Sequence, residues 1–435
     1  MTIAAPSGRQ VWRLALPALG ALAADPVLSL VDTAFVGRLG ATELAALGVD
    51  VAIFSFVFAA FNFLAYATTP MVARARGGGD LAESGLIVRR AQLLALLIGL
   101  AGTLVLVAMA GPVVRLMQAA PEVVDPAVTY LRIRAFALPA LLLITAAHGA
   151  YRGMQDTRTP LIVALAVNAL NAALDPVLMF GAGMGLAGAA VATVAAQTLG
   201  AVVFGLLLRR RAAAEEWPRR RIRLHELRVF LGVGSALIAR TVLLVSSLTM
   251  ATAMAARVGT VAVAAHQVVS QLWFLLAMII DALAIAAQAM VAELLGKGAP
   301  EVARALSGRL VRWGLVGGLL LGLSLWLGGP VLAAVFTGDA GVREAIVSVA
   351  PIAGGMQPLA AVLFVLDGVF MAMLAVRRLV ASTGAGFVAA VAALAIVAAT
   401  GAGLVGVWWA ITAMVVARLA VLWPAYRSAV TWARS

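Results

Sequence analysis

GATELAALGVDVAIF, residues 40–54, has a counterpart 219 residues further on, GTVAVAAHQVVSQLW at residues 259–273. The same shift sets Met71, Val72, Ala73, Gly77 and Gly79 over Met290, Val291, Ala292, Gly296 and Gly298 without a gap. It also places Asn62 over Asp281, His148 and Gly149 over Asp367 and Gly368, and Arg158 over Arg377. Matches among Ala, Val and Leu carry little weight in a chain this apolar. The shared glycines and the polar-on-polar pairs carry the repeat, and they divide the 435 residues into two halves of one design.

That design belongs in a membrane. Hydrophobic residues make up 63% of the chain and charged ones 12%, with a mean hydropathy of +1.05. A soluble surface needs roughly a quarter of the residues charged, so lipid must be the solvent here. Residues 91–111, 176–208, 313–338 and 379–417 are free of charge, and about 20 such residues span a bilayer as a helix. The apolar runs predict twelve helices, over 12–36, 45–73, 91–115, 127–151, 160–180, 187–208, 229–256, 262–292, 311–336, 344–376, 379–400 and 404–426. The expected fold is an all-α integral membrane protein of two pseudo-symmetric six-helix lobes. Residues 1–208 form the N-terminal lobe, 209–228 a basic linker and 229–435 the C-terminal lobe. Six helices per half orient both repeats the same way through the membrane, with a cavity between the lobes.

The net charge of +13 invites a nucleic-acid reading, but the placement of the charges argues for orientation. With both termini cytoplasmic, 24 of the 32 Lys and Arg lie on inner segments. Six lie on outer loops (Arg38, Arg115, Arg132, Arg134, Arg257 and Arg343), and Arg240 and Arg418 fall within spans. This follows the positive-inside rule and predicts a multi-pass inner-membrane protein that binds no nucleic acid. The linker RRRAAAEEWPRRRIRLHELR (209–228) would lie against anionic headgroups. The chain has no cysteine, so thiolate metal sites are excluded. His148 and His266 lack paired-ligand spacing and are not read as a metal site.

Ionisable groups inside a bilayer cost several kcal/mol, about 2.5 or more each, and each is a functional candidate. Asp25 and Asp32 share a face of helix 1, as do Asn168, Asn171 and Asp175 on helix 5 and Thr193 with Gln197 on helix 6. These faces converge on one polar pocket if the first six helices bundle. Two carboxylates that meet out of water cannot both ionise cheaply, which suits a proton carrier, while oxygens from Asp, Asn and Thr suit Na⁺. The alternative is that they only hydrogen-bond helices together. Asp281, Gln288 and Asp367 suggest a second polar centre in the C-terminal lobe, against the alternative of a structural ion pair with Arg240. Pro17 and Pro26 each remove a backbone hydrogen bond from helix 1 and offer a bend beside a titratable acid. Phe54, Phe58 and Phe61 form a stripe that fits lipid packing or a cavity wall.

Several stretches carry a resemblance: DPVLSLVDTAFVGRLGATELAALGV (25–49), AAHGAYRGMQDTRTPLIVALAVNALNAALDPVLMFG (146–181), GMGLAGAAVATVAAQ (183–197) and AAHQVVSQLWFLLAMIIDALAIAAQAMVAELLGKG (264–298). In their order and spacing they resemble the multidrug and toxic compound extrusion (MATE) transporters, and the Val31-Asp32-Thr33 core is most similar to the DinF-like branch. The resemblance implies a MATE-type antiporter that exports amphipathic, cationic organic compounds in exchange for H⁺ or Na⁺. It is a secondary transporter and not an enzyme, with no cofactor beyond the coupling ion. It places the cation site on Asp32, Asn171, Asp175 and Thr193 and the bending proline on Pro17. Asp25 stands where the branch has an uncharged residue, and the C-terminal acid of other branches matches neither Asp281 nor Asp367. A monomer holding both lobes needs no obligatory protein partner beyond the lipid bilayer. The rival reading is a lipid-linked-precursor flippase of the same broad superfamily. A membrane prenyl or acyl transferase would need clustered acids or a Ser/His constellation that the sequence lacks, and RARGGGD (74–80) matches a major-facilitator loop poorly.

Overall fold

In the computed structural model, which describes residues 3–428 and Trp432 with the side chain of Asp25 excepted, nearly every residue is helical. The elements are α1 (Gly8–Val36), α2 (Ala41–Phe61), α3 (Phe63–Gly77), α4 (Leu81–Leu116), α5 (Pro121–Ala135), α6 (Leu138–Gly153) and α7 (Arg158–Pro176). They continue as α8 (Gly185–Ala214), α9 (Arg228–Val258), α10 (Thr260–Gly296), α11 (Pro300–Phe336), α12 (Ala340–Ala372), α13 (Val376–Thr400) and α14 (Gly403–Arg427). Eleven described spans are long and apolar enough to cross a bilayer, counting α2 with α3 as one, and the pair α5 and α6 makes the twelfth. The twelve-helix expectation therefore stands, although two spans are not the straight helices the apolar runs imply.

Helix 2, expected as continuous over 45–73, is interrupted at Asn62 between α2 and α3. Helix 4, expected over 127–151, bends by 51° between α5 and α6. The cause of the bend is chemical. Pro139 has no N–H, so the carbonyl of Ala135 gets no partner from the position four residues on. Thr103 Oγ1 of α4 donates to that carbonyl instead, at 2.7 Å, while Phe136 and Ala137 tighten onto the carbonyls of Ile133 and Arg134. α4 and α11 are also longer at their starts than the apolar pattern indicates, beginning at Leu81 and Pro300 and not at 91 and 311. At about 1.5 Å per residue, the 36 residues of α4 reach about 54 Å, well beyond the roughly 30 Å hydrocarbon core. The extra turns are capped polar helix: Asp80 accepts from the backbone N–H of Glu83 at 2.8 Å, and Pro300 opens α11.

The chain sorts into two compact units, Leu16–Gly234 and Met1–Ala15 with Ser235–Ser435. The repeat recurs inside each. Gly40 and Gly259 both stand at φ 148°, a conformation that disfavours any side chain. Gly149 of α6 lies so close to α3 that an added Cβ would be 2.8 Å from the Cα of Ala65. Its counterpart Gly368 of α12 would meet the carbonyl of Ala284 on α10. Ala65 and Ala284 are themselves 219 apart.

The basic linker is partly folded onto the first unit. Trp217 is buried against Gly85 of α4. Glu215 accepts from Arg76 Nη1 at 2.8 Å, Arg211 Nε at 2.9 Å and Trp217 Nε1 at 2.9 Å. Burial pushes the Glu215 carboxyl up, but these three donors outweigh it and hold it at about 2. Arg209, Arg210, Arg219, Arg221 and Arg228 remain exposed.

Candidate functional site

The first unit holds a cavity of about 510 Å³, lined by residues of α1, α2, α3, α5, α6, α7 and α8. α1 brings Asp32 and, one turn before it, Ser29, whose carbonyl accepts from Thr33 Oγ1 at 2.7 Å. α7 brings Asn168, Asn171 and Asp175 along one side, and Asn171 and Asp175 are buried. Immediately after Asp175 the helix meets Pro176 and widens into a π-turn over Val177–Gly181, where Ala182 N–H donates to the carbonyl of Val177 at 2.8 Å. Such widened turns are frequent at functional sites. α8 brings Thr193 and Gln197, and Thr193 Oγ1 donates to the Ala189 carbonyl at 3.0 Å.

Asn171 Nδ2 donates to Asp175 Oδ1 at 3.3 Å. The carboxyls of Asp32 and Asp175 lie within hydrogen-bonding reach of one another. Three buried oxygens of this group, Asp32 Oδ1, Asp175 Oδ2 and Asn171 Oδ1, have no donor among the described residues. Buried polar atoms nearly always find a partner. A set of lone pairs left open together fits a proton shared between the acids, or a small hard cation such as Na⁺, whose ligands are oxygens. Among the described residues no group of three or more His, Cys, Asp or Glu side chains is placed to hold a metal ion.

Three groups that the sequence reading passed over lie at or beside this site. Arg134, assigned there to an outer loop, lines the cavity from α5. It donates to Tyr130 Oη at 3.4 Å and to Thr193 Oγ1 at 3.3 Å, with its guanidinium 4.7 Å above the Phe54 ring. α5 runs to Ala135, so Arg134 sits on its last turn and within the span expected over 127–151, not on an outer loop. Arg152 of α6 lines the cavity as well. Asp50 of α2 was missed outright and is fully buried. It occupies the middle of a helix face made by Ala46, Leu47, Ile53 and Phe54, and that spacing was visible in the sequence.

The remaining candidates are placed as follows. Phe54 and Phe58 line the cavity, as do Pro26 and His148. Pro17 and Pro26 both lie inside α1, which is unbroken. The side chain of Asp25 lies outside the described residues. In the other unit, Asp367 of α12 is taken up by two arginines: Arg240 Nη2 donates to it at 2.6 Å, and Arg418 Nη2 to both oxygens at 2.7 and 3.0 Å. The structural ion pair weighed from the sequence is thus present, with a second arginine added. Asp281 and Gln288 lie seven residues apart on α10, Gln288 buried and Asp281 half-buried. His266, also on α10, borders a separate small cavity of about 80 Å³ with Thr252 and Trp408.

Comparison with known proteins agrees with this architecture. The MatE family profile matches twice, over residues 17–177 and 237–397, once per half of the repeat. The chain is 37% identical over 376 residues to Protein DETOXIFICATION 44, chloroplastic, of Arabidopsis thaliana, covering 83% of this chain and 71% of that one. It is 29% identical over 298 residues to DNA damage-inducible protein F of Escherichia coli K12, covering 66% and 64%. Among solved structures, an outward-facing multidrug resistance MATE family transporter of the MOP superfamily superposes with a TM-score of 0.87, at 20% identity, over 97% of this chain and 96% of that one. That superposition fits the two-lobe, twelve-helix fold. With the family profile covering both halves, this multi-pass membrane protein belongs to the MATE family of transporters.

Proposed function

We propose that the chain is a cation-coupled antiporter that exports amphipathic organic compounds by alternating access of its two lobes, 1–208 and 229–435, joined by the linker 209–228. The observation that carries the reading is the convergence of Asp32 Oδ1, Asp175 Oδ2 and Asn171 Oδ1 without donors. Asp32, Asn171, Asp175 and Thr193 take H⁺ or Na⁺ from outside. Substrate leaves, helix 1 rearranges about Pro17 and Pro26, and the cation is released inward. Asn168 and Gln197 extend the polar wall of the same cavity. The aromatic faces of Phe54 and Phe58 and the carboxyl of Asp32 suit an amphipathic cation. The protein works as a monomer in the inner membrane with both termini cytoplasmic, as the bias of its basic residues supports.

The second reading, a flippase for lipid-linked precursors, gains from one observation. Arg134 and Arg152 stand on the cavity wall, where they would meet an anionic headgroup. Liposomes containing the protein distinguish the two. Efflux of ethidium driven by an imposed pH or Na⁺ gradient, and lost in Asp32→Asn, is the result expected of the antiporter. Dye transport that is indifferent to both gradients and to Asp32→Asn defeats it, and translocation of a labelled polyprenyl phosphate would then establish the flippase.

A further inference from the structure

Asp50 has the environment of a core leucine. Its neighbours on the buried face of α2 are Ala46, Leu47, Ile53 and Phe54, and they pack with Ala127, Tyr130 and Leu131 of α5 in one apolar cluster. Neither carboxyl oxygen has a hydrogen-bond partner among the described residues. An acid buried without a partner is expensive, and a well-packed apolar side chain in its place would be neutral or stabilising. Packing therefore does not account for Asp50.

The ionisable groups within electrostatic reach of Asp50 are Arg134 and Tyr130, both on α5, and Asp32 of α1 acts on the same Tyr130. Arg134 lies within electrostatic reach of Asp32, Asp50 and Asp175. It closes an ion pair with none of them among the described residues. Its hydrogen bonds to Tyr130 and Thr193 are long, and its remaining contact is the Phe54 ring. The guanidinium is thus held between the Phe54 ring, one turn along α2 from Asp50, and Thr193 beside the Asp32–Asp175 pair. If Arg134 settled on that pair, it would occupy the place of the incoming cation and repel it.

We propose that Asp50 is a positioning residue that draws the Arg134 guanidinium away from Asp32 and Asp175 and so keeps the cation site open. Asp50 itself binds neither cation nor substrate. The inference rests on the cation-site reading above and deepens it, by giving the site an internal competitor and that competitor a counter-anchor.

The test is the cation dependence of transport in liposomes for Asp50→Asn, Asp50→Leu, Asp50→Glu, Arg134→Gln and the double variant Asp50→Asn/Arg134→Gln. A charge brought within a few ångströms of a carboxylate changes its cation affinity by about tenfold or more. Asp50→Asn and Asp50→Leu should each need about tenfold more coupling cation for half-maximal rate, with the rate at saturating cation little changed. Asp50→Glu should restore most of the wild-type dependence, and the double variant should recover it because the competitor is gone. Asp50→Leu guards against misfolding, since it replaces a buried acid with an apolar side chain in an apolar setting. Arg134→Gln alone should tighten cation binding without touching Asp50. Unchanged cation dependence in both Asp50 variants, or a weakening that the double variant does not relieve, overturns the inference. Asp32→Asn run alongside separates the two levels: wild-type coupling in that variant overturns the cation site and this inference together.

Discussion

Replacing Asp367 by alanine leaves Arg240 and Arg418 facing each other with no counter-charge, and the side chain of Arg418 is 4% exposed. In the wild type one carboxylate receives three hydrogen bonds, at 2.6, 2.7 and 3.0 Å. Removing one partner of a buried ion pair costs about 3–5 kcal/mol, because the charge left behind has nowhere to go. Here two charges are left, so the upper end of that range is expected. Arg240→Gln is the contrasting change. It removes one charge-assisted bond, worth at most about 1.5–3 kcal/mol, but leaves Asp367 paired with Arg418 and relieves the repulsion between the two guanidiniums. Thermal unfolding in detergent, followed through the nine tryptophans, should rank Asp367→Ala far below Arg240→Gln, with Arg240→Gln near wild type. Equal destabilisation by the two, or a stable Asp367→Ala, would refute the reasoning and point to lipid or water as the real partner of the arginines.

Asp175→Ala should abolish gradient-driven dye efflux while leaving expression and the unfolding temperature close to wild type, since Asn171, which donates to it at a long 3.3 Å, is on the same helix and its other oxygen is open. Gly368→Ala should lower stability by about 1–3 kcal/mol through overpacking, because its new Cβ would press on the Ala284 carbonyl; differential scanning fluorimetry reads this directly. The Glu215 clasp has a defined pH window. Its folded pKa, about 2, is depressed below the ordinary value of 4.5. The stability it contributes is therefore fully present above that ordinary value and is lost as pH falls through about 2. Limited proteolysis of the 216–224 segment should accordingly be flat from neutral pH down to about pH 5. Glu215→Gln should raise cleavage at every pH in that range.

The helix count, the repeat and the polar faces were legible because each rests on a local periodicity. Asn171 and Asp175 share a face of one helix through helical spacing alone; Asp32, Asn171 and Thr193 line one cavity, and Asp175 lies behind it, bonded to Asn171. What was illegible depends on where a helix is interrupted. The apolar run through residues 127–151 gives no sign that Pro139 bends it by 51°. Pro358, at the matching position of the second half, lies within an unbroken α12, so a proline by itself does not decide the question. The difference is made by Thr103 Oγ1, a neighbour distant in sequence that caps the freed carbonyl. Asp50 was a different kind of miss, since its place among Ala46, Leu47, Ile53 and Phe54 follows from 3.6-residue periodicity. Its isolation from every donor does not.

The close approaches of Gly149 to Ala65 and of Gly368 to Ala284 mark a packing geometry inherited twice from one ancestral half. One position before each glycine the inheritance has broken. His148 borders the cavity of one unit, and Asp367 neutralises arginines in the other. Duplication has therefore conserved the scaffold and let the charges drift apart. A chimera made of two first halves would keep the Gly149–Ala65 approach in both copies and would lack Asp367 together with Arg240 and Arg418, which fall opposite Ala21 and Leu199. The two halves still share their close-packed glycine contacts, but neither the bend of the fourth span nor an electrical environment.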